Sequence, residues 1–252
     1  WRENDEPNRA GITEIKYTNG LYRLLGQLME EFPSLMIDNC ASGGSRLDIE
    51  MMRYSVPLWR SDYQCSAKAD ADACQAQMMG GAGWMPYTAA GVAGDPSDTY
   101  RIRSGYSNGI SLCYDGDFHT STWYPYSFEE YKDKVVQLKK LVHEFKSIRK
   151  YFDGDYYPLM PQSLDKTHFC AWQFDLPEEG GGIIQVFRRE KSPYPEIVLA
   201  LQAIQPGTRY AIKDLDSGLV TEISAQELLE KGFAVRIEKQ RDSRVYEYKI
   251  LK

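Results

Sequence analysis

The sequence has no surplus of positive charge: 30 Lys and Arg against 36 Asp and Glu leave a net charge of -6. A nucleic-acid groove must neutralise phosphates, so no nucleic-acid partner is expected. It has no run of 18 or more apolar residues, which removes a helical membrane span and with it a membrane partner. The first residues, Trp1 to Gly11, are polar and acidic and offer neither an initiating Met nor the apolar stretch of a secretion leader. The chain is therefore expected to begin inside a longer polypeptide, and its compartment is not read from this end. Histidine is scarce: His119, His143 and His168 form no HExxH or HxH pair, so no metal site is expected. Cysteine is odd in number and irregular in spacing (Cys40, Cys65, Cys74, Cys113, Cys170), which indicates neither a disulfide framework nor a CxxC metal site.

What is plentiful is aromatic: 18 Tyr, 5 Trp and 9 Phe make up 13% of the chain. Two readings stand side by side, a surface that stacks on flat sugar faces and an aromatic β-rich core. With 252 residues the chain is long enough for one large α/β domain or two smaller ones.

Residues 13 to 32 place Leu21, Leu24, Leu25, Leu28 and Phe32 on one helical face, with Thr13 as the expected N-cap and Pro33 closing the helix. The apolar run 35 to 38 then reads as a strand ending in "NCASGG", and the pattern repeats. Helical "LDIEMMRY" leads to the strand "VPLW" and the loop "RSDYQC". Helical "KADADACQAQMM" leads to a strand in "GWMPYT" and a Gly-rich loop, and "GISLC" precedes "YDGD". The stretch from Ser127, as cap, to Ile148 carries Phe128, Tyr131, Val135, Leu138, Val142 and Phe145 at helical spacing.

From about residue 152 the pattern changes to short β-branched and aromatic runs divided by Gly, Pro and Asp turns, the signature of an antiparallel sandwich. The expected organisation is residues 1–150 as half of a (β/α)8 barrel and 151–252 as an antiparallel β-sandwich domain. A small open sheet on its own is the alternative to the half barrel. An open half would leave exposed sheet edges, so association with another copy or with a further chain segment is expected.

In a (β/α)8 barrel the side chains just past the carboxyl ends of the strands face one cavity. That gathers Asn39 and Cys40, then Trp59 to Asp62, then Tyr87 and Thr88, then Cys113 to Asp115. Asp62, at the cavity mouth beside Arg60, suits a general acid, although an Asp capping the next helix has the same local signature. Gly43 and Gly44 permit a close backbone approach, while "ASGG" alone is a turn. "MMGGAGW" and "AAGVAGD" lack the Lys and the spacing of phosphate-binding loops, and nothing links His119 to Cys40 as a protease pair would require.

The run "FPSLMIDNCASGGSRLDIEMMRYSVPLWRSD" resembles the barrel segment of α-galactosidases of glycoside hydrolase family 36, in which "CASGG-R-D" and "W-x-S-D" runs follow successive strands. The resemblance covers roughly residues 12 to 150. It implies the second half of a (β/α)8 TIM barrel followed by an antiparallel β-sandwich, and a retaining exo-glycosidase acting on terminal α-linked galactose without a cofactor. It further implies Asp62 as general acid/base and, as substrate-binding residues, Cys40, Gly43 and, in the matching run, Trp59. Arg60 departs from the commonest pattern, and two readings of it remain: a hydrogen bond to a sugar hydroxyl, or a pair with an acid in the wall. The family's nucleophilic Asp stands at the end of the preceding strand. Its motif lies upstream of segments like "WRENDEPNRAGITE", so the resemblance implies a piece with the acid/base but not the nucleophile, inactive in isolation. An α-N-acetylgalactosaminide is the neighbouring substrate, decided by room in the loop from Cys40 to Ser45.

The contrasting hypothesis is a non-catalytic carbohydrate-binding or structural fragment. It needs exposed aromatics in the second half, whereas Trp172, Phe174, Phe187, Tyr246 and Tyr248 alternate along strands as core residues do.

Overall fold

The computed structural model describes residues 1–57, 59–85, 87–113 and 128–251. Ser127, the loop at 114–115 and His119, all invoked above, lie outside the described residues.

Helix α1 (Ile12–Glu31) forms where the periodicity predicts it, but Thr13 does not cap it. The carboxylate of Asp5 folds back and accepts the N–H groups of Gly11 (2.7 Å) and Thr13 (3.0 Å), while the Thr13 hydroxyl donates to the Asn4 carbonyl. These bonds satisfy donors at the helix start and hold Asp5 below the ordinary carboxylate range. No residue of α1 is buried.

After α1 the chain pairs in parallel. The Asn39 N–H bonds the Val56 carbonyl and the Val56 N–H bonds the Ile37 carbonyl, so the "LMID" and "VPLW" segments meet at an Asp38–Val56 bridge. Trp59 bridges in parallel to Ala89 at the start of β1 (Ala89–Val92), and β1 pairs in parallel with β2 (Gly109–Leu112). Four parallel segments thus lie side by side in chain order, as successive barrel strands do. Between them stand helices α2 (Ala71–Gly81) and α3 (Thr99–Ser104), and α4 (Phe128–Ile148) follows β2.

Two sequence expectations shift here. The "LDIEMMRY" helix shrinks to one 3-10 turn, Met51–Arg53, entered through an Asp48 carboxylate that accepts the Met51 N–H. The third strand runs through "AAGV" rather than "GWMPYT", so Tyr87 and Thr88 precede β1 instead of following it. Its small residues read as a loop in sequence. At Gly91 a small residue fits the crowding, because the Trp59 ring lies against it.

The second half has β3 (Asp155–Pro158), β4 (Phe169–Leu176), β5 (Gly181–Arg188), β6 (Glu196–Leu199), β7 (Arg209–Asp214), β8 (Val220–Ser224), helix α5 (Ala225–Lys231), β9 (Phe233–Arg236) and β10 (Asp242–Leu251). A six-stranded antiparallel sheet runs β3-β4-β5-β10-β7-β8, and β6 pairs with β9 in a second, antiparallel sheet. The strands β3 and β8 and the helix α5 were not evident from the sequence.

Strand β4 explains how the layers join. Phe169 and Ala171 point into a core shared with Leu199, Ile212, Leu228 and Val235, which packs the two sheets together. Cys170, Trp172 and Phe174 point the other way, into a core shared with Met78, Met79, Tyr100, Ile102, Leu141 and Ile148 of the helices. A strand with both faces covered loses the alternation of apolar and polar residues, and β5 is likewise buried from end to end.

Candidate active site

The two motifs that stood apart in sequence touch in space. Gly43 has φ of +78°, and a Cβ placed on it would fall 2.7 Å from the Asp62 nitrogen and 3.0 Å from the Ser61 Cα. A Cβ on Gly44 would fall 2.5 Å from the Arg60 carbonyl oxygen. The paired glycines of "CASGG" therefore let that turn press directly on the backbone of "RSD". An Ala41–Gly44 bridge closes the turn, and the buried Asn39 braces it by donating to the Arg46 carbonyl at 2.7 Å.

Asp62 opens a 3-10 turn, Asp62–Cys65, but does not cap it. The hydroxyl of Ser61 accepts the Tyr63 N–H at 3.2 Å. With Ser61 in that role the Asp62 carboxylate stays exposed, and its Oδ1 accepts a 3.0 Å hydrogen bond from Trp59 Nε1. Cys40 is also exposed, with a free thiol. The Tyr63 hydroxyl accepts the Asp70 N–H at 3.0 Å, tying the far side of the loop to the start of α2.

Arg60 goes elsewhere. Its side chain is 5% exposed and its Nη1 points at the Met78 sulfur, 3.3 Å away. Among the described residues its Nε and Nη2 have no hydrogen-bond partner, and burial pulls the guanidinium below its ordinary pKa. Among the described residues neither a wall carboxylate nor the exposed face shared by Asp62 and Trp59 receives it.

Past β1 the chain offers Asp95, a position displaced from the one expected after the third strand. Lys134 donates to its Oδ2 at 2.6 Å and the Ser97 hydroxyl to its Oδ1 at 2.6 Å, so it is spoken for by structure. Gly91 is the functional candidate that sequence reading passed over, because its meaning depends on which ring lies on it. Among the described residues no cluster of His, Cys, Asp and Glu has the make-up of a metal site. Among them, too, no helix is long and apolar enough to cross a membrane.

Parallel strand segments with intervening helices, closed by an antiparallel sandwich, define the second half of a (β/α)8 barrel with a C-terminal β domain. The same architecture is found in the crystal structure of the glycoside hydrolase family 36 α-galactosidase AgaA from Geobacillus stearothermophilus. It superimposes with a TM-score of 0.71 at 21% identity over 98% of this chain and 33% of that one. A raffinose complex of an AgaA variant gives a TM-score of 0.72.

Residues 2–153 match the Melibiase family model, and the chain belongs to that family. It is 26% identical to α-galactosidase 1 of Pediococcus pentosaceus over 236 residues, 90% of this chain and 30% of that protein. It is also 26% identical to the AgaA sequence over 221 residues, 86% of this chain and 27% of that protein. The chain thus spans about a third of the length of these relatives.

Proposed function

We propose that this chain is the acid/base-bearing portion of a retaining exo-α-galactosidase, with terminal α-galactosyl oligosaccharides as substrates. The observation that carries the reading is the contact between the two motifs. The "CASGG" turn seats on Ser61 and Asp62 and leaves the Asp62 carboxylate at the surface, oriented by Trp59. In this reading residues 1–150 are the catalytic half barrel and 151–252 the β-sandwich domain.

Asp62 protonates the leaving glycosidic oxygen as the anomeric C–O bond breaks, then takes a proton from the water that releases the sugar. In this reading the exposed Cys40 and the backbone at Gly43, which packs on the Asp62 backbone, contact the sugar. Arg60, held inside against Met78, shapes the floor of the loop instead of touching substrate. The nucleophile is a carboxylate supplied from outside this chain, at the roughly 5 to 5.5 Å separation that retention requires. Asp5 is a poor choice for it, since both of its oxygens are taken by N–H groups at the start of α1.

The alternative of a glycan-binding fragment is weakened by the fate of its aromatics: Trp172, Phe174, Phe187, Tyr246 and Tyr248 are all buried.

The test is Asp62→Asn in the full-length protein, assayed on an unactivated α-galactoside. A loss in kcat/KM of about 10²- to 10⁴-fold is expected. Retention of activity within a few-fold would overturn the assignment.

A further inference from the structure

We infer that Gly91, through Trp59, is a positioning residue for the acid/base carboxylate: the missing side chain at 91 is the seat on which the indole lies to reach Asp62. The inference rests on the acid/base reading of Asp62 and adds residues that the two motifs do not contain.

The geometry follows from strand pairing. Trp59 bridges Ala89 in parallel, and Gly91 lies two residues further along β1, on the same face of the sheet as Ala89. The Trp59 side chain therefore lies diagonally across position 91. A Cβ on Gly91 would fall 2.5 Å from Cη2, 3.1 Å from Cζ2 and 3.2 Å from Cζ3 of the indole. These atoms belong to a rigid ring whose backbone is fixed by the bridge to Ala89, so the ring cannot yield as a flexible side chain would. Any side chain at 91 tilts the indole, and Nε1, joined to the contacted Cζ2 through Cε2, moves with it.

Nε1 is the atom that matters. The indole N–H is a donor only, and at 3.0 Å it engages Oδ1 of Asp62. With Oδ1 occupied, the transferable proton sits on Oδ2. It passes to the leaving oxygen as the glycosidic bond breaks and returns from the attacking water, so each turnover restores the acid.

The test uses the full-length protein, an unactivated α-galactoside and α-galactosyl fluoride, whose fluoride departs without a proton donor. Gly91→Ala and Trp59→Phe are each expected to lower kcat/KM on the unactivated substrate by about 10- to 100-fold, as misplacement of a reacting group does. On the fluoride each is expected to stay within about three-fold. Phe lacks the ring atoms that meet a Cβ at 91. Adding Gly91→Ala to Trp59→Phe should therefore cost less than about two-fold more, a non-additivity that reports contact.

Trp59→Phe introduces no new atoms and carries the test if Gly91→Ala does not fold. Equal losses on both substrates, or additive losses in the double variant, would overturn the inference. Asp62→Asn is the internal standard. If it lacks the leaving-group selectivity, the acid/base reading fails; if it has the selectivity and Gly91→Ala and Trp59→Phe do not, only the positioning role fails.

Discussion

Helices α1 and α4 are nearly the same length, 20 and 21 residues, and both carry an apolar stripe at helical spacing, yet their surroundings differ. On α4, Leu141 and Ile148 are buried in the core shared with β4, β5 and β10. On α1 nothing is buried, and Leu24, like Phe32 just past the helix end, stands about half exposed. Periodicity tells which face of a helix is apolar; what covers that face depends on chain elsewhere. The contrast extends beyond the two helices. The first sixty residues are joined mainly by single parallel bridges, while α2 to α4 are fastened to the six-stranded sheet through packing and ion pairs.

The largest effect is expected where that fastening is densest. Arg103 on α3 is 1% exposed and reaches three elements. Its Nε and Nη2 donate to Glu144 on α4 at 2.9 and 2.6 Å, its Nη1 and Nη2 donate to Asp216 beyond β7 at 2.9 Å each, and its Nη1 also donates to the Ser243 carbonyl of β10. Burial alone would weaken this charge, but the two carboxylates hold its pKa well above the ordinary arginine value. Arg103→Met leaves those carboxylates close together, with only Arg244, 3.9 Å from Asp216, as a nearby counter-charge. The expected loss is about 3–5 kcal/mol in urea unfolding near neutral pH. A loss below about 1 kcal/mol would mean that the Arg103 cluster is not what fastens the two halves, which Arg241–Asp98 and Lys166–Asp70 also join.

The turn of "CASGG" comes next. Gly43→Ala forces an L side chain to φ of +78° and drives its Cβ to 2.7 Å from the Asp62 nitrogen. About 1–3 kcal/mol of local strain is expected, together with a fall in activity larger than the fall in stability, because the atom displaced belongs to the proposed acid/base. Equal stability and activity in wild type and Gly43→Ala would break the link between the two motifs.

Much of this was legible in the sequence because it rests on local rules. The stripes of α1 and α4, the strand "GISLC" and the β-rich grammar after residue 152 each carry their own period. The motif residues Cys40, Gly43, Trp59 and Asp62 stood out through a family resemblance, and Gly43 and Asp62 through turn and charge chemistry as well. What escaped was decided by partners distant in sequence. "AAGV" is a strand because it pairs with "GISL" and bridges Trp59, and Arg60 turns inward to Met78 although it sits in a polar loop. Thr13 looked like a cap until Asp5, eight residues earlier, took its place. Both faces of β4 are covered, a fact that no alternation along the strand announces.

The smallest effect is expected on α1, and it is the one that calibrates the opening contrast. Leu141→Ala on α4 removes a buried side chain from a closed core and should cost about 2–5 kcal/mol. Leu24→Ala on α1 removes a side chain that is 52% exposed, and Ala is the better helix former, so a change within about 0.5 kcal/mol is expected in the 252-residue chain. A large loss for Leu24→Ala would show that α1 is covered in solution, as association through its stripe would do. Closing a barrel over that stripe raises the cost of Leu24→Ala towards that of Leu141→Ala. Comparing the two substitutions in this chain and in the full-length protein therefore measures how much of the barrel core depends on α1.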